Sequence, residues 1–420
     1  MSLDIRTLTA TDYPAWLRAV RRGFLQTVPE TPQEVAEKMA HVDLARAQGA
    51  FEGGRCVATF RSFAQELTVP GGARVAANAI SAVSVLGTHR RQGLLRRMMA
   101  RDLAAAKERG EVAATLIAAE YPIYGRFGFG PATTLTEWEV DVLRSGLDRR
   151  APVPAVGPAG ADGGRIEFVE AEDVTKLGPE IHARLAAHRH GVVDRPARWW
   201  DLLTGVGVTA ADKWTEPFYA LCRSASGEPE GLVTYRADDT WDDRKQPRNT
   251  ATVADLIAAT PAAERALWHF VCSIDWITTV RTGYRAPDDL LPSLLPDPRA
   301  ARVVSQADWL WVRVLDTARL LAARTYGQEA SLVLDVRDPA GLAGGVFRLD
   351  ASPQGAVCAP DTRSADLTLG VEELAALCLG DASVERLVAL GRIEENRPGA
   401  AATADHTFRT ARRPWCPDVF

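Results

Sequence analysis

The chain has 420 residues, of which 46 % are apolar and 25 % charged, and its formal charge is -5. That length builds two or three domains and excludes a minimal binding module, while the composition excludes disorder and low-complexity repeats. The small acidic excess gives no general drive toward nucleic acid, so no nucleic-acid partner is expected.

The start, MSLDIRTLTATDYPAW, lacks the basic segment and continuous apolar stretch of a signal peptide. No run of about 18 uncharged apolar residues follows anywhere, so no stable membrane insertion and a cytoplasmic location are expected. Cys56, Cys222, Cys272, Cys358, Cys378 and Cys416 are scattered, with no close pair at zinc-binding spacing. A reduced intracellular protein without a metal fits that spread.

The first region extends to about residue 148. RCVATFRSFAQELTVPGGARVAANAISAVSVL reads as two strands joined by a turn at Pro70, Gly71 and Gly72. Leu94, Leu95, Met98, Met99, Leu103 and Ala106 then share one helical face, with Arg96, Arg97, Arg101 and Lys107 on the wetter side. EVAATLIAAE reads as a buried strand, and TTLTEWEVDVL as an alternating one that puts Thr136, Trp138, Val140 and Val142 on one side. A Pro- and Gly-rich break, RSGLDRRAPVPAVGPAGADGG, separates this region from a second unit beginning near Arg165.

The second unit offers a strand, a helix and a strand in TVADLIAATPAAERALWHFVCSIDWITTVRTGY. Pro292 and Pro296 interrupt the pattern again. A third unit holds the strand LWVRVL, the helix DTARLLAARTY, the strands SLVLDVRD and AGGVFRLD, and the helix GVEELAALCLG. The end, ARRPWCPDVF, is apolar enough either to dock or to fray. His188 and His190 lack a third ligand nearby and read as a solvated pair.

THRRQGLLRRMM, residues 88 to 99, sets basic residues and a glycine before the helical run. Unpaired N–H groups at a helix start can hold a phosphate, Gly93 permits close approach, and Arg90 and Arg91 add charge. A basic helix start with no ligand stays open as the alternative.

AVSVLGTHRRQGLLRRMM resembles the acetyl-coenzyme A segment of the GCN5-related N-acetyltransferases, with Leu95 standing where a small residue is commonest. With AAEYPIYGRFGFGPATT, WLWVRVLD and the aromatic chain end, the resemblance narrows to the Eis family of actinobacterial aminoglycoside acetyltransferases and covers nearly the whole chain. It implies an α/β (α+β) fold class: tandem GCN5-related acetyltransferase folds followed by a sterol-carrier-protein-like domain. The expected divisions are 1–148, 149–297 (lacking the cofactor motif) and 298–420.

The resemblance also implies acetyl-coenzyme A as cosubstrate. Val83, Ser84 and Val85 are expected along its pantetheine arm, and Arg90, Arg91, Gln92, Gly93, Leu94, Leu95 and Arg96 around its pyrophosphate. Ala119 and Glu120 complete the cofactor set, Ala119 standing where the family has serine, so a backbone contact alone carries over. Tyr124 matches the general acid, and the terminal carboxylate of Phe420 the base. Aminoglycosides or other polyamines are the implied acceptors, and a homohexamer the implied assembly. Gln26 occupies a position where an acidic substrate-side residue is expected, which leaves other amines and lysine-containing peptides open. Asp275, Trp276, Asp288 and Asp289 are further candidates for an acceptor-pocket wall. The alternative reading is a lipid or sterol carrier with a degenerate acetyltransferase domain.

Overall fold

The computed structural model describes residues 3–27, 31–147, 164–208 and 214–420. Gly71 and Gly72, with φ of 97° and 84°, make the tight turn that joins strands Arg55–Thr68 and Arg74–Val85. These two form the centre of a seven-stranded sheet. Asp4–Thr7 and Ala47–Glu52 extend it antiparallel on one side, and Ala113–Ile117 joins Arg74–Val85 in parallel on the other. A parallel neighbour needs a crossover, supplied by helix Leu94–Glu108. Leu94, Met98, Met99, Leu103 and Ala106 bury its apolar face against Ala58, Phe60 and Ile80. Helix Tyr13–Gly23 buries Tyr13, Trp16, Leu17 and Ala19 with Ala47, Phe51 and Cys56.

The last two strands of this sheet come from distant parts of the chain. Leu310–Val314 pairs antiparallel with Ala113–Ile117 through all five residues, and Phe129–Pro131 closes the edge on its far side. The alternating strand Thr134–Asp141, by contrast, lies in a second seven-stranded sheet between Ile277–Arg281 and Ala301–Asp308. Trp138, Val140 and Val142 are buried there, as alternation predicts. Pairing partners are non-local, so periodicity reports a strand's buried face but not its sheet. Sheet membership changes hands at Ala132/Thr133 and Trp309/Leu310, while the sequence-based division at 148 lies outside the described residues.

The unit spanning residues 1–132, 310–410 and 419–420 also contains a five-stranded sheet. Its order is Gly355–Pro360, Gly345–Ser352, Ala330–Arg337, Leu367–Gly370, Ile393–Glu395. Helix Val371–Leu377 lies so close to Phe129–Pro131 that a Cβ at Gly130 would overlap the Glu372 carbonyl oxygen. Leu320, Leu321 and Leu374 keep no accessible surface, whereas a side chain lining a water-sized cavity would keep some. Their periodicity is that of a packed core.

The second unit, residues 133–309 and 411–418, repeats the parallel pair and crossover helix with Asn249–Ala258, Pro261–Ser273 and Ile277–Arg281. Here the helix start is occupied by the protein itself. Thr260 Oγ accepts from the Ala263 amide, and Pro261 has no N–H to offer. Among the described residues, no helix is long and apolar enough to cross a membrane.

Arg313, on the inserted strand, is fully buried and gives two hydrogen bonds of 2.7 Å to Asp338. Burial pushes the Asp338 carboxyl up, but Arg313 and the amides of Ala343 and Ala340 outweigh it and hold the carboxyl below its ordinary value. Arg313→Ala leaves that carboxylate buried with backbone amides but no charged partner, with an expected loss of about 3–5 kcal/mol of stability. Urea unfolding of the two proteins measures it.

Candidate active site

Strand Arg74–Val85 changes register against Arg55–Thr68 near its end. Thr59 faces Ser84 and Arg61 faces Ser81, so Ala82 and Val83 together oppose Phe60. This is a β-bulge, with Ala82 in the left-handed region at φ 51°. On its other side the strand pairs with Ala113–Ile117 only from Ala77↔Ala113 to Ala79↔Thr115. Beyond that point the two parallel strands part, and Ser81 to Val85 are each half-buried. The ladder to Ala113–Ile117 does not reach Val83, Ser84 and Val85, so on the side of this cleft their main chain has no strand partner. Val83 and Val85 pack toward helix Leu94–Glu108, and the Ser84 hydroxyl accepts from Thr59 at 3.2 Å on the other face. A Cβ at Gly23 would overlap Ser84, so the end of helix Tyr13–Gly23 is seated directly on this stretch.

The chain turns through Gly87–His89 into Arg90, Arg91 and Gln92, all exposed. Arg91 and Gly93 both have positive φ, 63° and 72°, and Gly93 caps the helix with no side-chain hydrogen bond. The first helical bond runs from Arg97 N to Gly93 O, so the amides of Leu94, Leu95 and Arg96 have no intrahelical acceptor. Leu94 is buried, Leu95 half-buried and Arg96 exposed. The loop thus offers open amides, the positive end of a 15-residue helix and three exposed guanidinium groups. These are the properties of an anion cradle.

Ala119 and Glu120 are exposed in the turn that leaves strand Ala113–Ile117, and Glu120 precedes the short helix Tyr121–Tyr124. Tyr121 packs edge-on to Trp311 at 4.9 Å, and Tyr124 edge-on to Phe129 at 6.2 Å. Tyr121 and Tyr124 therefore lean on one residue each of the two strands that close the sheet. Burial pushes the Tyr124 hydroxyl up, and the Glu120 charge acts in the same direction. The hydroxyl stays protonated at neutral pH and makes no hydrogen bond among the described residues.

The chain end docks rather than frays. Trp415 donates from its amide to the His190 carbonyl and from its indole to the Tyr284 carbonyl, both at 3.0 Å. His190 is buried, unlike the exposed His188 with which the sequence paired it as solvated. Arg195 gives two hydrogen bonds to Asp255 and one to Asp418, all 2.9 Å, with all three side chains buried. Phe420, in the first unit, sets its ring edge-on to Phe63 at 5.8 Å. Asp288 and Asp289 are committed to arginines, Asp288 to Arg189 and Arg412 and Asp289 to Arg285, while Asp275 and Trp276 are exposed. Sequence reasoning passed over Arg61 and the bulge at Ala82. An arginine between apolar residues in RCVATFRSF was the available signal for the first, and nothing marked the second.

Residues 4–132 match the Acetyltransferase (GNAT) domain family, and residues 191–319 match a second family of the same description. Residues 317–417 match the Sterol carrier protein domain. An uncharacterized N-acetyltransferase of Streptomyces griseus is 66 % identical over 100 % of both chains. The N-acetyltransferase Eis of Mycobacterium tuberculosis is 34 % identical over 98 % of this chain and 99 % of its own. The crystal structure of Eis1 from Mycobacterium abscessus superposes with a TM-score of 0.83 and 31 % identity, covering 99 % of this chain and 100 % of that one.

Burial pushes Asp418 up to about 6, the Asp255 and Asp194 charges add to the rise, and Arg195 opposes it. The folded value lies above the ordinary 3.8, so the unfolded chain binds fewer protons between the two. This group's contribution to stability therefore falls as pH rises from about 4 to about 6. Asp418→Asn keeps an acceptor for Arg195 without the charge. Its stability relative to the parent is expected to rise by about 1–3 kcal/mol between pH 4 and pH 7, since each tenfold change in proton affinity is worth about 1.4 kcal/mol. Urea unfolding at both pH values reads the difference.

Proposed function

The chain belongs to the Eis family of GCN5-related N-acetyltransferases, and from that premise we propose that it moves acetyl from acetyl-coenzyme A to an amine directly, within a ternary complex. The observation that carries the reading is the anion cradle at Gly93 beside a strand edge left open by the parting sheet. Acetyl-coenzyme A supplies an activated thioester. The amides of Leu94, Leu95 and Arg96, with Arg90, Arg91 and Gln92, hold its pyrophosphate. Main-chain groups of Val83, Ser84 and Val85 line its pantetheine arm, and Ala119 and Glu120 contact it through backbone.

In the transfer the amine nitrogen bonds to the acetyl carbon and the carbon–sulfur bond breaks. Tyr124, protonated and free of competing hydrogen bonds, gives its proton to the departing sulfur. The carboxylate of Phe420 takes the proton from the amine, directly or through one water. Burial pushes the thiols of Cys56, Cys222, Cys358 and Cys378 up to about 12. Groups held so far toward the thiol are poor nucleophiles, which supports direct transfer over an acetyl-enzyme. Aminoglycosides and other polyamines are the acceptor class the resemblance implies, with lysine-containing peptides second. A homohexamer is part of the same proposal, and sedimentation equilibrium tests it.

Acetyl-coenzyme A-dependent thiol release across aminoglycosides, polyamines and lysine peptides, with mass detection of products, tests the activity. Product from one class is the expected result. Absence of both product and acetyl-coenzyme A binding overturns the reading. Tyr124→Phe is expected to lower kcat by about 100-fold or more while leaving acetyl-coenzyme A affinity unchanged by calorimetry. A chain extended beyond Phe420 is expected to lose turnover and keep its melting temperature.

A further inference from the structure

Buried arginines in this chain generally have groups that answer them. Arg313 faces Asp338 although its Nε is unpartnered, Arg195 faces Asp255 and Asp418, and Arg285 faces Asp289 and Glu264. Arg324 has no carboxylate but gives its donors to the carbonyls of Leu377, Cys378 and Phe408. Arg61, half-buried, has no carboxylate or carbonyl of this kind. Its Nε is shut from solvent with no partner, and among the described residues its side chain makes no hydrogen bond and no ion pair. Its guanidinium carbon lies 5.2 Å from the centroid of the Phe63 ring. A ring face attracts a cation but cannot satisfy five N–H donors. Arg61 as a whole is half-buried, with Nε shut in and the Tyr13 hydroxyl acting on it, so an anion arriving from outside the protein would give the guanidinium the charged partner that the chain does not supply.

Its place on the strand says which molecule brings that anion. Phe60 and Ser62 point to helix Leu94–Glu108, where Phe60 packs on Met98 and the Ser62 hydroxyl donates to Asp102 at 2.6 Å. By alternation Arg61 and Phe63 point to the opposite face. There Arg61 sits across the ladder from Ser81, beside the bulge at Ala82, and Phe63 meets the ring of Phe420. The phosphates of acetyl-coenzyme A already have Arg90, Arg91 and Arg96 at the helix start.

We propose that Arg61 binds a carboxylate or phosphate group carried by the acceptor, so that the substrate is an amine that also bears an acid. This rests on the transferase reading above and narrows its acceptor. A polycation such as an aminoglycoside brings like charge toward Arg61, whereas an acidic amine supplies the missing partner.

Four amines of matched length test this on the full chain: hexylamine, 1,6-diaminohexane, 6-aminohexanoate and 6-aminohexyl phosphate. Their kcat/KM values are measured for the parent, Arg61→Gln and Arg61→Lys, with acetyl-coenzyme A affinity and circular dichroism as controls on folding. The parent is expected to prefer one of the acidic amines over hexylamine by tenfold or more, and which acid wins separates carboxylate from phosphate. Arg61→Gln should shrink that ratio at least tenfold through KM, and Arg61→Lys should restore part of it. A parent that uses the diamine as well as the acidic amines overturns the proposal. So does a uniform fall for all four amines in Arg61→Gln, which would tie Arg61 to the Phe420 carboxylate or to the framework. Calorimetric binding of 6-aminohexanoate and 6-aminohexyl phosphate to the parent and Arg61→Gln is read independently of turnover. Weaker binding to the variant supports the proposal even if no amine is acetylated, and equal or absent binding to both overturns it.

Discussion

Two parallel strands that share three residue pairs and then separate set the terms for the rest of the first unit. Arg74–Val85 and Ala113–Ile117 are joined at one end by ordinary ladder bonds, and the separation past Ala79 and Thr115 leaves main chain that no neighbour pairs. Buried backbone N–H and C=O groups need partners, so an open stretch of this kind persists only where solvent or a ligand reaches it. The bulge at Ala82 turns the strand as it opens, and the crossover helix begins just past the opening with its own amides uncommitted. Cleft and cradle are therefore two results of one geometric choice. The second unit has the same parallel pair and crossover, but Thr260 and Pro261 fill the helix start. A shared framework thus carries an anion site in one unit and a self-capped helix in the other.

Electrostatics in the interior follow a common rule with different partners. Asp338 answers Arg313 with both carboxylate oxygens, and carbonyls answer Arg324. Arg195 shares itself between two aspartates. Arg195 and Arg324 use the planar fork that distinguishes arginine from lysine, whereas Arg313 gives both its bonds to Asp338 from one nitrogen. The interior also holds a carboxylate without a charge partner at contact distance. Asp102, on the crossover helix, accepts from Ser62 and Asn78 at 2.6 Å, and burial pushes its carboxyl up. Hydrogen bonds from two strands to that one side chain fix the helix against the sheet that supports the cleft.

What the amino-acid sequence disclosed follows from the range of the forces involved. The turn at Gly71 and Gly72, the apolar face of the crossover helix and the loop before it depend on neighbours within a few residues, and each was readable. The docking of the chain end and the exchange of strands between sheets depend on pairings far apart in sequence. Alternation in TTLTEWEVDVL gave the buried face of Thr134–Asp141 correctly and said nothing of the sheet that face would join. Ala82 is an ordinary strand residue until its partner strand imposes the bulge. Asp288 and Asp289 look like free acidity in sequence, because the arginines that neutralise them lie at least four and as many as 124 positions away.

The exchange of strands also orders events during synthesis. Leu310–Val314 leaves the ribosome roughly 190 residues after Ala113–Ile117, its partner, which at 5–20 residues per second is about 10–40 s. For that interval the nascent first sheet ends in an apolar strand with an unpaired edge, a template for association with other chains. Thr134–Asp141 waits in the same way for Ile277–Arg281 and Ala301–Asp308. Neither sheet can close vectorially from the N-terminus. The chain must finish two folds nearly together, and a ribosomal pause or a truncation between residues 142 and 309 would leave both open.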